Sequence, residues 1–301
     1  MTQRTIGFGF DAFSPRLKGL APARTGLALL FACAGLVLVL GSGACASSAS
    51  TGHKPDKLTT ELLSTPKEQL FEKGQALLAK KKYDLGRKYL TFVFETYPND
   101  PLGRQSLLIV ADSYFRQGGT TGYTEARFRY RDYLNRYPGA PQRDYARYQF
   151  AVCYDKEHEK PDRDQTSTRE AIEQYRVLLK EFPNSSYVAG TNARIRSLID
   201  LLAEHEFLVG YFYMRKGAPQ AAISRFLDVE QRFPEYGGRD KLYFYSGQVL
   251  HRVGRNDEAA RYYARLLDEY PKSLLVKKAK ERAAKLPPPA SASVDTRAKS
   301  E

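Results

Sequence analysis

The sequence predicts an all-α solenoid of five helix pairs with a C-terminal capping helix. Three observations predict it. Between Thr65 and Leu286 apolar residues recur at helical spacing, without the alternation of strands. An aromatic-Pro dipeptide recurs five times, as Tyr97-Pro98, Tyr137-Pro138, Phe182-Pro183, Phe233-Pro234 and Tyr270-Pro271. Around each copy the same residue classes stand at the same offsets.

The dipeptide marks a helix end, because the residue before Pro is pushed out of the α region. Twelve residues before each Pro stands a small residue: Gly86, Ala126, Ala171, Ala222 and Ala259. Eight before it stands a bulky one: Leu90, Tyr130, Tyr175, Phe226 and Tyr263. Five before it come Val93, Tyr133, Leu178, Val229 and Leu266. A second small column, Gly74, Ala111, Ala151, Gly210 and Gly247, lies on the preceding helix. Two antiparallel helices need small residues where their backbones touch and bulky ones to fill the adjacent holes. This is the tetratricopeptide (TPR) pattern, which implies a right-handed superhelix of stacked pairs.

In chain order the repeats cover 65–99, 100–139, 140–183, 184–235 and 236–271. In repeats one, four and five the two small residues are 12 apart. Repeat two has a spacing of 15, with the excess around Gly118-Gly119-Thr120-Thr121-Gly122. Repeat three has a spacing of 20, and its surplus EHEKPDRD reads as a charged surface loop. Repeat four carries additional residues from Ser185 to Leu202, with no Gly or Pro between Thr191 and Val209. One helix of about 30 residues, from Ser186 to Lys216, accounts for them. It would bend the solenoid and set repeats one to three apart from repeats four and five. Residues 272–286 form a basic capping helix.

The flanks are different. Residues 26–41, GLALLFACAGLVLVLG, are apolar and small, shorter than the ~20 residues that span a bilayer as a helix. A basic leader precedes them and small residues follow, the layout of a secretory signal over 1–44. Ser42-Gly43-Ala44-Cys45 resembles the lipobox of bacterial lipoproteins, with Ser42 where Leu is usual. On that reading Cys45 is lipidated and begins the mature chain; the alternatives are an uncleaved anchor or a plain secretory signal. Residues 45–64 read as a flexible tether and 287–301 as a disordered tail.

Composition narrows the function. With 42% hydrophobic and 27% charged residues, the chain is neither wholly disordered nor a multispan membrane protein. The net charge is +13, of which the leader's four cations against Asp11 supply +3. The remaining +10 suits anionic lipid, nucleic acid or an acidic protein. Export removes nucleic acid as a partner. Four His, with neither an HExxH nor a CxxC motif, give no metal site, and no Gly-rich phosphate loop or catalytic constellation is present. His205, between Glu204 and Glu206, has neighbours that point to other helix faces. Cys153 reads as a small buried hydrophobe. The expectation is a binding protein without cofactor, apart from the covalent lipid on Cys45.

In such a solenoid the first helices line the concave face. Counted from the first small residue, position −3 gives Phe71, Leu108, Tyr148, Phe207 and Phe244. Position +1 gives Gln75, Asp112, Val152, Tyr211 and Gln248. Position +4 gives Leu78, Phe115, Asp155, Met214 and His251. An aromatic-rich groove with a few polar groups binds extended or helical peptides. Its N-terminal part comprises Phe71, Gln75, Leu78, Leu108, Asp112, Phe115 and Tyr148; the competing reading has some of these rings packed in the inner core.

Cys45, the five repeats, and the FPNSSY, LLAEHE and YFYMRKGAPQAAISR runs between Phe182 and Pro234 together resemble the BamD family of outer-membrane lipoproteins. Repeats three and four carry the specific likeness; in repeat one Gly86 replaces the usual Ala. The resemblance implies a non-catalytic component of the β-barrel assembly machinery, lipid-anchored on the periplasmic face of the outer membrane. It implies that the N-terminal repeats receive targeting segments of unfolded outer-membrane proteins. It also implies that the C-terminal repeats dock a POTRA domain of the BamA barrel subunit, beside other Bam lipoproteins. The family's ion-pairing Arg falls on Arg225, by the run AAISRF. Another envelope TPR lipoprotein, acting in cell division, Tol-Pal function or pilus assembly, would share fold and anchor but not partners.

Overall fold

The computed structural model describes residues 56–287; the signal sequence, Cys45 and the tail from 288 lie outside them. Twelve helices follow one another, and no strand occurs among the described residues. Five pairs match the five repeats: α2 (Lys67–Ala79) with α3 (Tyr83–Thr96), α4 (Pro101–Gln117) with α5 (Gly119–Arg136), α6 (Arg143–Lys156) with α7 (Thr166–Glu181), α8 (Val188–Arg215) with α9 (Pro219–Arg232), and α10 (Arg239–Arg252) with α11 (Asn256–Glu269). A short helix flanks each end, α1 (Lys57–Ser64) and α12 (Val276–Ala283).

All five aromatic-Pro dipeptides end a helix in one conformation. Tyr97, Tyr137, Phe182, Phe233 and Tyr270 have φ between −123° and −133° and ψ between 54° and 68°. Each still donates its N–H to the carbonyl four residues back, on Val93, Tyr133, Leu178, Val229 or Leu266. The Pro that follows prevents the next turn.

The columns are the core. The bulky residues eight and five before each Pro are all at most 2% exposed. A Cβ placed on Gly74, Gly210 or Gly247 would come within 2.6, 2.7 and 2.7 Å of Leu90, Phe226 and Tyr263, the bulky residue of the same repeat. The small column of the first helices therefore opens the hole that the bulky column fills.

The excess residues take two different forms. In repeat two they add a helical turn: α5 has 18 residues where α3, α9 and α11 have 14. Gly118 and Gly119, at φ 73° and 71°, supply the left-handed link that starts it. In repeat three they form a loop anchored by Gln165, 1% exposed. Its amide donates to the carbonyls of Lys160 and Arg163 at 2.8 and 3.1 Å and its oxygen accepts from the Thr168 hydroxyl at 2.8 Å.

The long helix of repeat four is α8, 28 residues. Ile195 and Leu198 near its start pack with Ala151, Ala171, Ile172 and Tyr175 of repeat three. Ala203 and Phe207 belong to the core of repeats four and five, and Ile199 and Leu202 touch both clusters. One helix thus joins two cores.

One boundary needs correction. The tether does not run to residue 64, because Lys57–Ser64 is helical. The Asp56 side chain caps it, accepting from Thr59 N–H at 2.6 Å. Leu58 and Leu62, one turn apart, pack on Leu70, Tyr89 and Val93. Tyr89 donates to Glu61 at 3.0 Å, and Lys73 pairs with the same carboxylate. The helix covers the open end of the first pair.

Candidate functional site

The first helices bury most of the −3 row and part of the +4 row. Phe71, Leu108, Phe207 and Phe244 of the −3 row are 8, 6, 3 and 6% exposed. In the +4 row Leu78 and Asp155 are 4 and 6% exposed. Phe71, Leu78 and Leu108 are therefore core residues, a correction to the expected groove. Residues three before and four after the small position lie on the same helix stripe as that position, and that stripe faces the paired helix. A Cβ on Gly86 would lie 2.8 Å from Leu78 Cδ2, which shows where Leu78 points. The +1 row is rotated out of the stripe. Gln75 is exposed, and Asp112, Val152, Tyr211 and Gln248 are half-buried.

The remaining N-terminal groove residues have partners within the fold. The Tyr130 and Tyr145 hydroxyls donate to the Asp112 carboxylate at 2.6 and 2.9 Å, so Asp112 ties α4 to α5 and α6. Burial raises its pKa above the ordinary carboxylate value, against the opposing effect of these hydrogen bonds. Tyr148 is half-buried and stacks on Tyr187 with centroids 4.5 Å apart and planes at 14°. Phe115 is half-buried against Tyr123, at 5.6 Å. Gln75, Phe115 and Tyr148 are what the N-terminal groove leaves accessible.

Asp155 serves repeat three as Asp112 serves repeat two. The Tyr175 hydroxyl donates to it at 2.8 Å, and Arg194 of α8 grips both carboxylate oxygens at 2.5 and 2.6 Å. Sequence reasoning placed Asp155 in the groove and did not single out Arg194.

Two further links escaped the sequence. Ser185 donates to Asp144 at 2.8 Å, and Ser273 donates to Asp240 at 2.5 Å. Each Ser stands two residues after its aromatic-Pro pair and each Asp is the second residue of its repeat's first helix. In repeat one the polarity is reversed, with Lys67 Nζ 2.5 Å from Asp100. The Pro-x-Ser spacing was a visible signal; its partner, 33 to 41 residues back, was not.

Arg225 is exposed on α9 and faces Glu206 of α8, with Nη1 3.2 Å from the carboxylate. Its position leaves the guanidinium open to solvent on the outer side of that pair. His205 does not join its acidic neighbours: its Nδ1 lies 2.7 Å from the carbonyl of Pro161, fixing the repeat-three loop to α8. Among the described residues no group of three His, Cys, Asp or Glu side chains could hold a metal ion. Cys153 is fully buried, and burial pushes its thiol up to about 12. Cys45, the expected lipid site, lies outside the described residues.

Comparison with known proteins places these features. The YfiO family, described as outer membrane lipoprotein, matches residues 64–266. The outer membrane protein assembly factor BamD of Caulobacter vibrioides is 28% identical over 226 residues, covering 75% of this chain and 73% of the relative. BamD of Rickettsia prowazekii is 28% identical over 229 residues, covering 74% and 87%. Among solved structures, a TPR2AB-domain–pHSP90 complex of yeast Sti1 aligns over 72% of this chain and 81% of that one, at 16% identity and a TM-score of 0.40.

Proposed function

This chain belongs to the YfiO family of outer membrane lipoproteins, and from that premise we propose that it is a non-catalytic scaffold of outer-membrane β-barrel assembly. The family match across all five repeats carries the reading, and relatives named as assembly factors support it over a division or pilus role. The scaffold is held at the periplasmic face of the outer membrane by lipid on Cys45.

Two surfaces divide the work. The N-terminal repeats take targeting segments of unfolded outer-membrane proteins along the part of the groove that stays accessible, where Gln75 is exposed and Phe115 and Tyr148 are partly so. Asp112 holds the helices in register there. The C-terminal repeats dock a POTRA domain of a BamA-like barrel subunit, with other Bam lipoproteins alongside. Arg225 is suited to that docking because it is exposed and its only close carboxylate among the described residues, Glu206, leaves its outer edge free. A pair of this kind adds specificity and modest affinity, about 1 kcal/mol or less when solvent-exposed.

The test is a pull-down from detergent-solubilised outer membrane with a tag after Glu301. Recovery of a POTRA-bearing barrel, reduced by Arg225→Glu, supports both the function and the docking site. Recovery undiminished by Arg225→Glu removes the site. Recovery of division or pilus proteins in place of the barrel overturns the function.

A further inference from the structure

Repeats four and five contain a second surface that the proposed function does not use. Two adjoining depressions, of about 480 and 440 Å³, lie between α8, α10 and α12 and share Met214, Gln248 and Arg282. Their apolar wall is aromatic: Tyr211 and Tyr245 meet edge to face at 4.9 Å, next to Met214. Both rings are half-buried, so one face of the pair is accessible.

The rim is cationic. Arg215 and Arg252 border one depression, Lys278 the other, and Arg282 both. Among the described residues none of these four has a carboxylate within the 4.0 Å of an ion pair, although fifteen such contacts occur elsewhere in the fold. Arg252 instead donates to the Met214 carbonyl at 3.1 Å, which fixes it at the C-terminal end of α8. Glu281 is the single carboxylate among the described residues lining the two depressions. Exposed cations left unpaired beside the accessible Tyr211–Tyr245 pair repel one another, and an acidic ligand relieves that repulsion.

We propose that this face binds an acidic, aromatic-bearing polypeptide segment of a partner protein, laid in extended form between α8, α10 and α12. The aromatic side chains of the segment pack on Tyr211, Tyr245 and Met214. Its carboxylates meet Arg215, Lys278 and Arg282, and Gln248 at the shared floor offers backbone hydrogen bonds. The site lies on the first helices and the cap, whereas Arg225 projects from α9, so the two surfaces can be occupied together. The inference stands on charge and shape at this face and does not depend on the assembly role.

The test is fluorescence anisotropy of the mature full-length chain against two labelled peptides, three repeats of Asp-Phe-Glu-Tyr and three repeats of Lys-Phe-Lys-Tyr. The acidic peptide should bind, more weakly as salt rises, and the basic one should not. Arg215→Glu with Arg282→Glu should weaken binding by about tenfold or more, while the charge-matched Lys80→Glu with Arg163→Glu should leave it within about twofold. Lys278→Glu alone should give an intermediate loss, and unchanged melting temperatures show that each variant is folded. Equal binding of both peptides, or no loss in the Arg215/Arg282 variant, overturns the proposal. So does binding to phosphatidylglycerol-containing vesicles without binding to the acidic peptide, which would make the rim a lipid headgroup site.

Discussion

Arg194 grips Asp155 with Nε and Nη2 2.6 and 2.5 Å from its two carboxylate oxygens, and this pair joins repeat three to the long helix. Asp155 is 6% exposed and also accepts from Tyr175, whereas the Arg194 side chain is 37% exposed. Removing the cation leaves a buried carboxylate short of a donor. Arg194→Ala should cost about 1–3 kcal/mol, discounted from a fully buried pair because the guanidinium reaches solvent. Urea denaturation of Arg194→Ala, Asp155→Ala and the double variant measures the coupling. Independent, additive losses would show that the joint is held by Ile195 and Leu198 packing instead.

Two glycines of α8 make an internal comparison. A Cβ on Gly210 would lie 2.7 and 2.8 Å from Phe226 ring atoms, while one on Gly190 meets nothing within 4 Å. Gly210→Ala should therefore destabilise by about 1–3 kcal/mol through overpacking. Gly190→Ala should stabilise by up to about 1 kcal/mol, since Ala loses less backbone entropy in a helix. Denaturant midpoints decide; a common sign for the two would refute the close-packing account of the small column.

The repeat columns were legible because they are local. The small and bulky columns of the second helices are fixed offsets from the Pro that ends their own helix, and the 12-residue spacing of repeats one and four then registers Gly74 against Leu90 and Gly210 against Phe226. The length of α8 was legible for the same reason, from an uninterrupted helical run. The groove was legible only in part. Phe71, Leu78 and Leu108 sit on the stripe of the small residue, and the helical period assigns them inward; Gln75, rotated out of that stripe, is exposed. Helix α1 was hidden by its brevity, although Asp56 and the Leu58–Leu62 spacing were there to be read. Contacts that close between repeats were not legible at all. Gly103 shows this: a Cβ there would lie 1.9 Å from the Tyr97 carbonyl oxygen, a constraint set by how one repeat turns into the next. Asp144 with Ser185, and Asp155 with Arg194, are of the same kind.

Cys153 offers a chemical check on the core of repeats two and three. It is fully buried, and burial holds its thiol at about 12, so the thiolate is scarce near pH 8. The Cys153 peptide should remain unmodified by iodoacetamide in the folded protein and react fully in denaturant, as read by mass spectrometry. Ready alkylation of the native chain would mean that α6 is open to solvent.

The N-terminal cap should loosen in acid before the repeats do. The Thr59 N–H holds the Asp56 carboxyl below its ordinary value. Lys73, then Tyr89, does the same for Glu61. A carboxylate with a depressed pKa in the folded state stabilises that state above its unfolded pKa, and the stabilisation is lost as pH falls through the folded value. Docking of α1 is thus intact at neutral pH and weakens below about pH 4. Backbone chemical shifts of Leu58–Ser64, followed by NMR as pH is lowered, should move toward coil while those of Tyr89–Phe94 in α3 stay helical. Glu61→Gln should flatten the part of this response that comes from the Lys73 pair and leave the part due to Asp56, because the amide cannot titrate. A helix α1 that stays docked throughout, or an unaltered response in Glu61→Gln, would show that Leu58 and Leu62 hold the cap without the carboxylates.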